Sequence, residues 1–491
     1  MRLTRALVAS SLGVAAGIFG FSAGAGLIGS WFTAALIAAA VAGLVAALAY
    51  TRPVIALDEA ACSPGLKTIA GVATLVALVQ LARLAVFTVD ASQVGCSAVP
   101  ASDWEVRHSC LSAYFVAGQA APSTPNIYDD SLYTAPDDDP TRPRKPLLIG
   151  PFKIDVFEYP PPFLLLPRAL MRLAPDFMRL RMLWFGLYGS VVLLAILVVA
   201  RFLGPAAGTR ALLLSPIVWA SLPALSAMQK GNAQAMVIAA SMLAMVLFEK
   251  RRWAAGGALM AFVTLSKLYP GLLLVYLLAR RQWRALAWTA ACGAAFILLS
   301  LLDTGVAPYA AFVRHLPGLV GGEAFPAFRN PAATAINFSI PGLVFKAKLF
   351  GVPGMSFGAA KIVGWAYTLV AVAATVFAGL RIQRPGEQPL VWMAILILAT
   401  LRSPFLPQAY AAFPPLWLLT LLAATFPPTA RRLTLTLLTA AALNIYWPID
   451  WAIDPRLLAI ASGLPQAVTV ALAVLALRRR LEPKASVASA A

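Results

Sequence analysis

The chain has 491 residues, of which 60% are hydrophobic and only 12% charged, and its mean hydropathy is +0.79. Soluble domains carry about a quarter charged residues, so this composition excludes an ordinary globular protein and points to several membrane-spanning segments. The formal net charge of +19 does not indicate nucleic acid. Lys and Arg gather in short clusters between apolar runs: Glu249-Lys250-Arg251-Arg252, Arg280-Arg281-Gln282-Trp283-Arg284, Arg431-Arg432 and Arg478-Arg479-Arg480. Such clusters mark cytoplasmic turns, with anionic lipid headgroups as their partners.

Backbone polar groups in lipid must be satisfied within their own segment, so the expected fold class is an all-α polytopic membrane protein. Hydropathy predicts fourteen spans, at residues 6–28, 31–50, 66–88, 181–202, 210–228, 232–248, 253–266, 268–280, 284–303, 359–380, 388–405, 409–426, 432–448 and 458–477. With the N-terminus inside, this count places the basic clusters and the C-terminal tail on the cytoplasmic side. The first run follows Met1-Arg2-Leu3-Thr4-Arg5 and continues to about Gly29, longer than the apolar core of a signal peptide, and is read as an uncleaved helix. Spans seven and eight are short for a bilayer of about 30 Å and break at Lys267-Leu268-Tyr269-Pro270. Three units are expected: 1–65, two accessory helices; 66–358, a catalytic module; and 359–491, the C-terminal helices with a short tail.

Two outer loops are long, 89–180 and 304–358, and structureless loops of that length are uncommon unless functional. The first holds 11 of the 20 acidic residues: Asp90, Asp103, Glu105, Asp129, Asp130, Asp137, Asp138, Asp139, Asp155, Glu158 and Asp176. Acidity alone is what any solvated loop shows. More informative are Leu111-Ser-Ala-Tyr-Phe-Val116 and Phe163-Leu-Leu-Leu166 with Leu170 and Leu173, which predict two short helices at the membrane interface. Tyr159-Pro-Pro-Pro-Phe163 forces an extended turn between them. Cys96 and Cys110 share this loop, where a disulfide is permitted; Cys62 falls in an inner turn and Cys292 in a helix. No Cys/His cluster has metal spacing, and Asp137-Asp138-Asp139, flanked by Pro136 and Pro140, reads as a solvated turn, so no metal is expected. Neither a P-loop nor a GxGxxG motif is present.

Polar residues at membrane depth are costly and therefore candidates for function. Three groups qualify: Gln229-Lys230-Gly231-Asn232-Ala233-Gln234, Lys267-Leu268-Tyr269-Pro270 and Arg402-Ser403-Pro404. Each has a bland alternative, in which the cation snorkels to headgroups or marks a hairpin tip. Together they supply cations for a lipid phosphate and amides for a sugar, beneath a loop whose carboxylates can take a proton from an acceptor hydroxyl.

Several segments carry a family resemblance. Ser102-Asp103-Trp104, then Tyr114-Phe-Val-Ala-Gly118 and Asn126-Ile-Tyr128, resemble an outer-loop pattern of Asp-aromatic, Ala near Gly, and Leu/Ile-Tyr. Phe157-Glu-Tyr-Pro-Pro-Pro-Phe163 resembles a Tyr-Pro-Pro segment, and Lys230-Gly-Asn-Ala-Gln234 a Gly-Gln-x-Asn segment. Ser266-Lys-Leu-Tyr-Pro270 with Arg280-Arg-Gln-Trp-Arg284 resembles a Lys-x-x-Pro hairpin and its basic turn. In this order, over residues 80 to 410, the motifs resemble glycosyltransferase family 87 of the GT-C superfamily, which includes polyprenyl-phosphate-sugar-dependent mannosyl- and arabinofuranosyltransferases. Two features depart from it: the amide order is Asn232-x-Gln234, and two extra helices precede span three.

The resemblance implies an inverting transferase at the outer face of a bacterial plasma membrane, and the charge pattern with the span count puts both termini in the cytoplasm. Its donor is a polyprenyl-phosphate-linked mannose or arabinofuranose, its acceptor a glycolipid or glycan, and no cofactor is needed. The general base maps onto Asp103, with Asp90 as the alternative, although Ser102-Asp103 also reads as a helix N-cap. Lys230, Lys267 and Arg402 are the expected phosphate ligands. Asn232, Gln234, Glu158, Tyr159, His315 and Asn337 are expected at the sugar or acceptor; Asp155 and His108 are further candidates. The rival reading is a secondary transporter or flippase of lipid-linked sugars, which would also use broken helices.

Overall fold

A computed structural model describes residues 2–51, 56–136, 144–381, 384 and 386–478. Three N-terminal helices, α1 (Arg2–Ile28), α2 (Trp31–Thr51) and α3 (Pro64–Val89), lead into the first outer loop. That loop carries α4 (Asp103–Arg107), β1 (His108–Ser109), α5 (Cys110–Ala120), β2 (Thr134–Ala135), β3 (Lys145–Pro146), β4 (Leu148–Ile149), β5 (Phe152–Ile154) and α6 (Leu165–Met171). The bundle continues with α7 (Phe177–Phe202), α8 (Pro205–Leu214), α9 (Pro216–Trp219), α10 (Leu222–Gln229), α11 (Gln234–Glu249), α12 (Trp253–Ser266), α13 (Leu272–Ala279) and α14 (Trp283–Thr304). The second outer loop forms α15 (Ala307–Gly321), α16 (Pro331–Ala335) and α17 (Gly342–Leu349). Last come α18 (Phe357–Leu380), α19 (Gln388–Thr400), α20 (Gln408–Ala411), α21 (Phe413–Ala424), α22 (Ala430–Leu443) and α23 (Pro455–Arg478).

Helix ends follow local chemistry. Ser63 caps α3 by accepting from the Leu66 N–H, with Pro64 in the first turn, where its missing N–H costs nothing. Asp176 caps α7 through the N–H groups of Met178 and Arg179. Each of the fourteen predicted runs contains helix, though 388–405 and 432–448 overrun their helices at Thr400 and Leu443, and the number of crossings does not follow from that. Among the described residues seven helices, α1, α2, α3, α7, α14, α18 and α23, are long and apolar enough to cross a membrane, and α8–α10 together form an eighth candidate bent by 66°. The other apolar runs, among them α11, α12 and α19, are shorter. Every residue of α19 is buried, so its all-round apolarity reflects packing within the bundle. By contrast α14 and α18 leave Leu298, Leu302, Ile362, Leu369 and Phe377 exposed, as a surface facing lipid would.

The first helix packs against α2 and α7 through small residues. A methyl group built on Gly186 would lie 2.6 Å from the Phe19 carbonyl oxygen, and one on Gly189 would lie 2.1 Å from the Phe19 ring. Only glycine lets α7 approach this closely.

The first outer loop is ordered and contains strands that hydropathy alone does not predict. Its sheet runs β1-β5-β4, with β1 parallel to β5 (His108 opposite Lys153, Ser109 opposite Ile154) and β4 antiparallel to β5. A second ribbon pairs β2 with β3. Of the two expected interfacial helices, α5 is instead buried: Cys110 through Phe115, Ala117 and Gly118 are all covered. It sits on the break between α10 and α11, where the Leu111 N–H donates to the Lys230 carbonyl. The α6 helix is tied to α14 by a fork from Arg168 to Asp303, at 2.5 and 3.2 Å, and Arg168 also donates to the Gly118 carbonyl. The Asp137-Asp138-Asp139 run lies outside the described residues.

Overpacking a close helix contact costs about 1–3 kcal/mol. Gly186→Val is therefore expected to lower the thermal stability of the purified protein in detergent, whereas valine at Gly43, which has open space around it, should not. A differential scanning fluorescence series checks this.

Candidate active site

Three breaks in the bundle open toward the first outer loop: residues 230–233 between α10 and α11, Lys267–Gly271 between α12 and α13, and Leu401–Pro407 between α19 and α20. Together with the loop they enclose a cavity of about 760 Å³. Of the residues singled out in the sequence, Lys230, Asn232, Gln234, Lys267, Arg402, Glu158, Tyr159 and Cys110 line it. Phe312, Leu316 and Leu319 of α15, Trp365 and Ala371 of α18 and Leu398 of α19 give it a largely apolar wall.

The three cations are not equivalent. Lys230 Nζ lies 2.7 Å from Glu105 Oε1, with both side chains buried at 4% and 2% exposure. Glu105 also accepts from Ser226 Oγ at 2.6 Å and from Tyr446 OH at 2.7 Å. Gln229 donates to the Glu105 carbonyl and accepts from the Ala98 N–H, which sews the loop to α10. Lys230 is thus neutralised by its own carboxylate. Lys267 differs: it donates to Gln234 Oε1 at 3.0 Å and lies 4.9 Å above the Tyr159 ring. Arg402 donates to Thr368 Oγ1 at 2.6 Å and stacks 5.5 Å from the Trp365 ring. Among the described residues neither Lys267 nor Arg402 has a carboxylate within ion-pair distance.

Glu158 faces the cavity and accepts no hydrogen bond from any described residue. Burial pushes its carboxyl well above the usual range, the Asp155 carboxylate adds to that, and Lys267 opposes it. Beside it, Tyr159 receives a hydrogen bond from Tyr114 at 2.8 Å, and Tyr114 in turn accepts from the Ala233 N–H. The Pro-rich turn is therefore anchored to the α10–α11 break.

Other expected residues lie elsewhere or are fully engaged. Asp103 is 59% exposed, pairs with Arg107 at 2.7 Å and Lys153 at 3.3 Å, and does not line the cavity. Ser102, not Asp103, is the N-cap of α4. Asp90 ends α3, and hydrogen bonds from Ser92 hold its carboxyl below the usual range, which weakens it as a base. His315 stacks on Tyr128 at 4.8 Å, away from the cavity lining. Asn337 is buried and bonded to Pro404, Leu406 and Ser339, bracing the second outer loop on the α19–α20 break. Asn232 spends its side chain on the Gln234 N–H and on Cys110 Sγ. Cys96 and Cys110 are separate free thiols, so the permitted disulfide is not formed: Cys110 points at the cavity, bonded to Tyr410 and Asn232.

The structure adds residues to the site. Glu105, Tyr410 and Tyr446 line it, as do His108 and Asp155, noted in the sequence only as candidates. His108 stacks on Trp104 at 4.4 Å, and burial holds its imidazole well below the usual range and therefore neutral. Burial pushes Asp155 up to about 6 and the Cys110 thiol up to about 12. A signal for Glu105 existed: on a short helix, positions i and i+2 point to different sides, so only one of Asp103 and Glu105 can face inward.

The cavity joins cations without ion-pair partners among the described residues, a carboxyl without donors and a largely apolar wall, and the sequence comparison decides the class of its chemistry. The glycosyltransferase family 87 model matches residues 157–406, just over half of the 491. The chain belongs to glycosyltransferase family 87. No curated protein and no solved structure matches it. The matched region of this glycosyltransferase runs from the Pro-rich turn through all three helix breaks, and includes Glu158, Lys230, Lys267 and Arg402.

Removing one partner of a buried ion pair costs about 3–5 kcal/mol, while replacing both by neutral groups is nearly neutral. Lys230→Met should therefore lower the melting temperature sharply, and adding Glu105→Gln should restore most of it. A Lys230→Met protein that melts normally but has lost sugar transfer would instead assign Lys230 to the substrate.

Proposed function

We propose that this glycosyltransferase moves a sugar from a polyprenyl phosphate to a hydroxyl of an envelope glycolipid or glycan at the outer face of the plasma membrane. One observation carries this reading: the carboxyl of Glu158, which accepts no hydrogen bond from the described residues, and the cations Lys267 and Arg402, which have no carboxylate partner among them, line one cavity with a largely apolar wall. Such a wall suits an isoprenoid tail, and the cations suit its phosphate. Family membership and the motif resemblance favour mannose or arabinofuranose as the sugar. The outward placement is supported by α11, α12 and α13. Each has one end at the cavity and the other at a basic turn, Glu249–Arg252 or Arg280–Arg284, which the charge rule assigns to the cytoplasm.

In the proposed reaction the acceptor oxygen attacks the anomeric carbon from the face opposite the phosphate. The carbon–phosphate oxygen bond breaks, and the acceptor proton passes to Glu158. Glu158 is suited to this because its lone pairs are not occupied by donors, and once deprotonated a buried carboxylate is more basic than an exposed one. The departing lipid phosphate gains negative charge against Lys267 and Arg402, which are already in place. A single displacement inverts the anomeric configuration. Asp103, the base expected from the motif, enters the test as the competing carboxylate.

Glu158→Gln is expected to lower transfer from a purified polyprenyl-phosphate sugar by about 10²–10⁴-fold, the usual contribution of a general base. Asp103→Asn should stay within a few-fold of wild type; the reverse pattern would move the base to Asp103. Lys267→Met should cost about 10²–10³-fold, as loss of one charge-stabilising group does. The wild-type rate should fall with acidification at a pH above the ordinary Glu value of 4.5, because protonating Glu158 removes the base. Sugar movement across proteoliposomes without formation of a glycoside would support transport and overturn the transferase reading.

A further inference from the structure

A second group of side chains lines the same cavity and takes no part in the steps above. His108 on β1, Cys110 at the start of α5 and Asp155 just after β5 bring an imidazole, a thiol and a carboxylate together, with ligand atoms all within 4.8 Å of one another. His108 Nε2 lies 3.7 Å from Cys110 Sγ and 3.6 Å from Asp155 Oδ2. The second separation is too long for an imidazole–carboxylate hydrogen bond, which runs about 2.7–3.2 Å. Both lie within a few tenths of an ångström of the edges of a coordination tetrahedron, on the long side. Metal–nitrogen and metal–oxygen bonds of about 2.0–2.1 Å and a metal–sulfur bond of about 2.3 Å give edges of roughly 3.3–3.6 Å.

The surroundings are those of a ligand set held in position. Trp104 stacks on His108 and fixes the ring plane. Asn232 Nδ2 donates to Cys110 Sγ at 3.3 Å, and Tyr410 OH lies 3.0 Å from the same sulfur. The Val156 N–H donates to Asp155 Oδ1, leaving Oδ2 turned toward His108. Outer contacts of this kind orient metal ligands and tune their basicity. Lys230 does not compete for the carboxylate, because Glu105 already holds it.

The geometry points to a three-ligand cation site formed by His108 Nε2, Cys110 Sγ and Asp155 Oδ2, with its fourth position open to the cavity. A thiolate with an imidazole selects zinc over magnesium or calcium, which take oxygen ligands. Three protein ligands with one open position is the pattern of a catalytic rather than a structural zinc. A doubly charged ion beside a thiolate and a carboxylate leaves the site neutral. The open position would take an oxygen of the bound substrate, either donor phosphate or acceptor hydroxyl, and this part rests on the proposed glycosyl transfer.

The full chain, purified in detergent, is loaded with zinc alone, dialysed and assayed for metal by mass spectrometry. About one zinc per chain is expected. Cys110→Ser and Asp155→Asn should each cut retention at least tenfold, and Cys96→Ser should not. Cobalt in place of zinc should give tetrahedral visible absorption with a thiolate-to-cobalt band in wild type and Cys96→Ser, and no such band in Cys110→Ser. A folded, monodisperse wild type that retains neither zinc nor a cobalt–thiolate band overturns the site. Transfer assays on the same samples separate the two readings. Zinc retention without sugar transfer upholds the site and overturns the proposed function; full-rate transfer by metal-free wild type overturns the zinc's part and leaves the function standing.

Discussion

An ion pair hidden between a loop and a helix break sets the geometry of this molecule. Glu105 and Lys230 meet at 2.7 Å with almost no exposure, and Ser226 and Tyr446 supply further donors to the carboxylate. Two charges removed from water in this way add little net stability, because desolvation offsets their attraction; what such a pair can contribute is register. Here it joins the loop after α3 to the α10–α11 break, and with Gln229 it fixes α4 in place. Asp450, on the far C-terminal side of the sequence, accepts from Ser102 Oγ and the Trp104 N–H and holds the same short helix from above.

Once α4 is fixed, the rest of the outer loop follows. His108 and Ser109 pair with β5, which carries Asp155 and Glu158 to the cavity, and α5 lies over the helix break with its polar N-terminal residues turned inward. The Pro-rich turn is braced by the Tyr114–Tyr159 contact. In a family 87 glycosyltransferase built this way, the loop forms one wall of the site and the broken helices form the other. Neutralising Lys230 within the scaffold leaves Lys267 and Arg402 as cavity cations without a carboxylate partner among the described residues, and the proposed function gives them the donor phosphate.

The helical architecture was legible because long apolar runs are hard to mistake, and every predicted run contains helix. The number of crossings was not, because an apolar helix such as α19 can be buried on all sides by its neighbours. The three cationic breaks were legible as polar groups at costly depth, and all three reach the cavity. Their roles were not, since nothing near Lys230 in the sequence announces that Glu105 is its partner. Asp103 and Glu105 differ by two positions on a five-residue helix, and only the tertiary contact with α10 decides which turns inward. Asn337 looked like a ligand because it is polar; it proves to be a brace, with its amide bonded to backbone on three sides. The His108, Cys110 and Asp155 group escaped a search by ligand spacing because a parallel strand pairing, not sequence proximity, brings Asp155 to the other two.

The central claim is that the loop carboxylate at Glu158 and the cations of two helix breaks face one another across a lipid-linked sugar. A cryo-electron microscopy structure of the full chain with a polyprenyl-phosphate sugar bound tests it most directly. The account predicts the phosphate against Lys267 and Arg402, the isoprenoid along the α15–α18 wall, and Glu158 as the carboxylate facing the anomeric carbon across the acceptor position. A phosphate seated on Lys230, or an anomeric carbon turned toward Asp103, would contradict it.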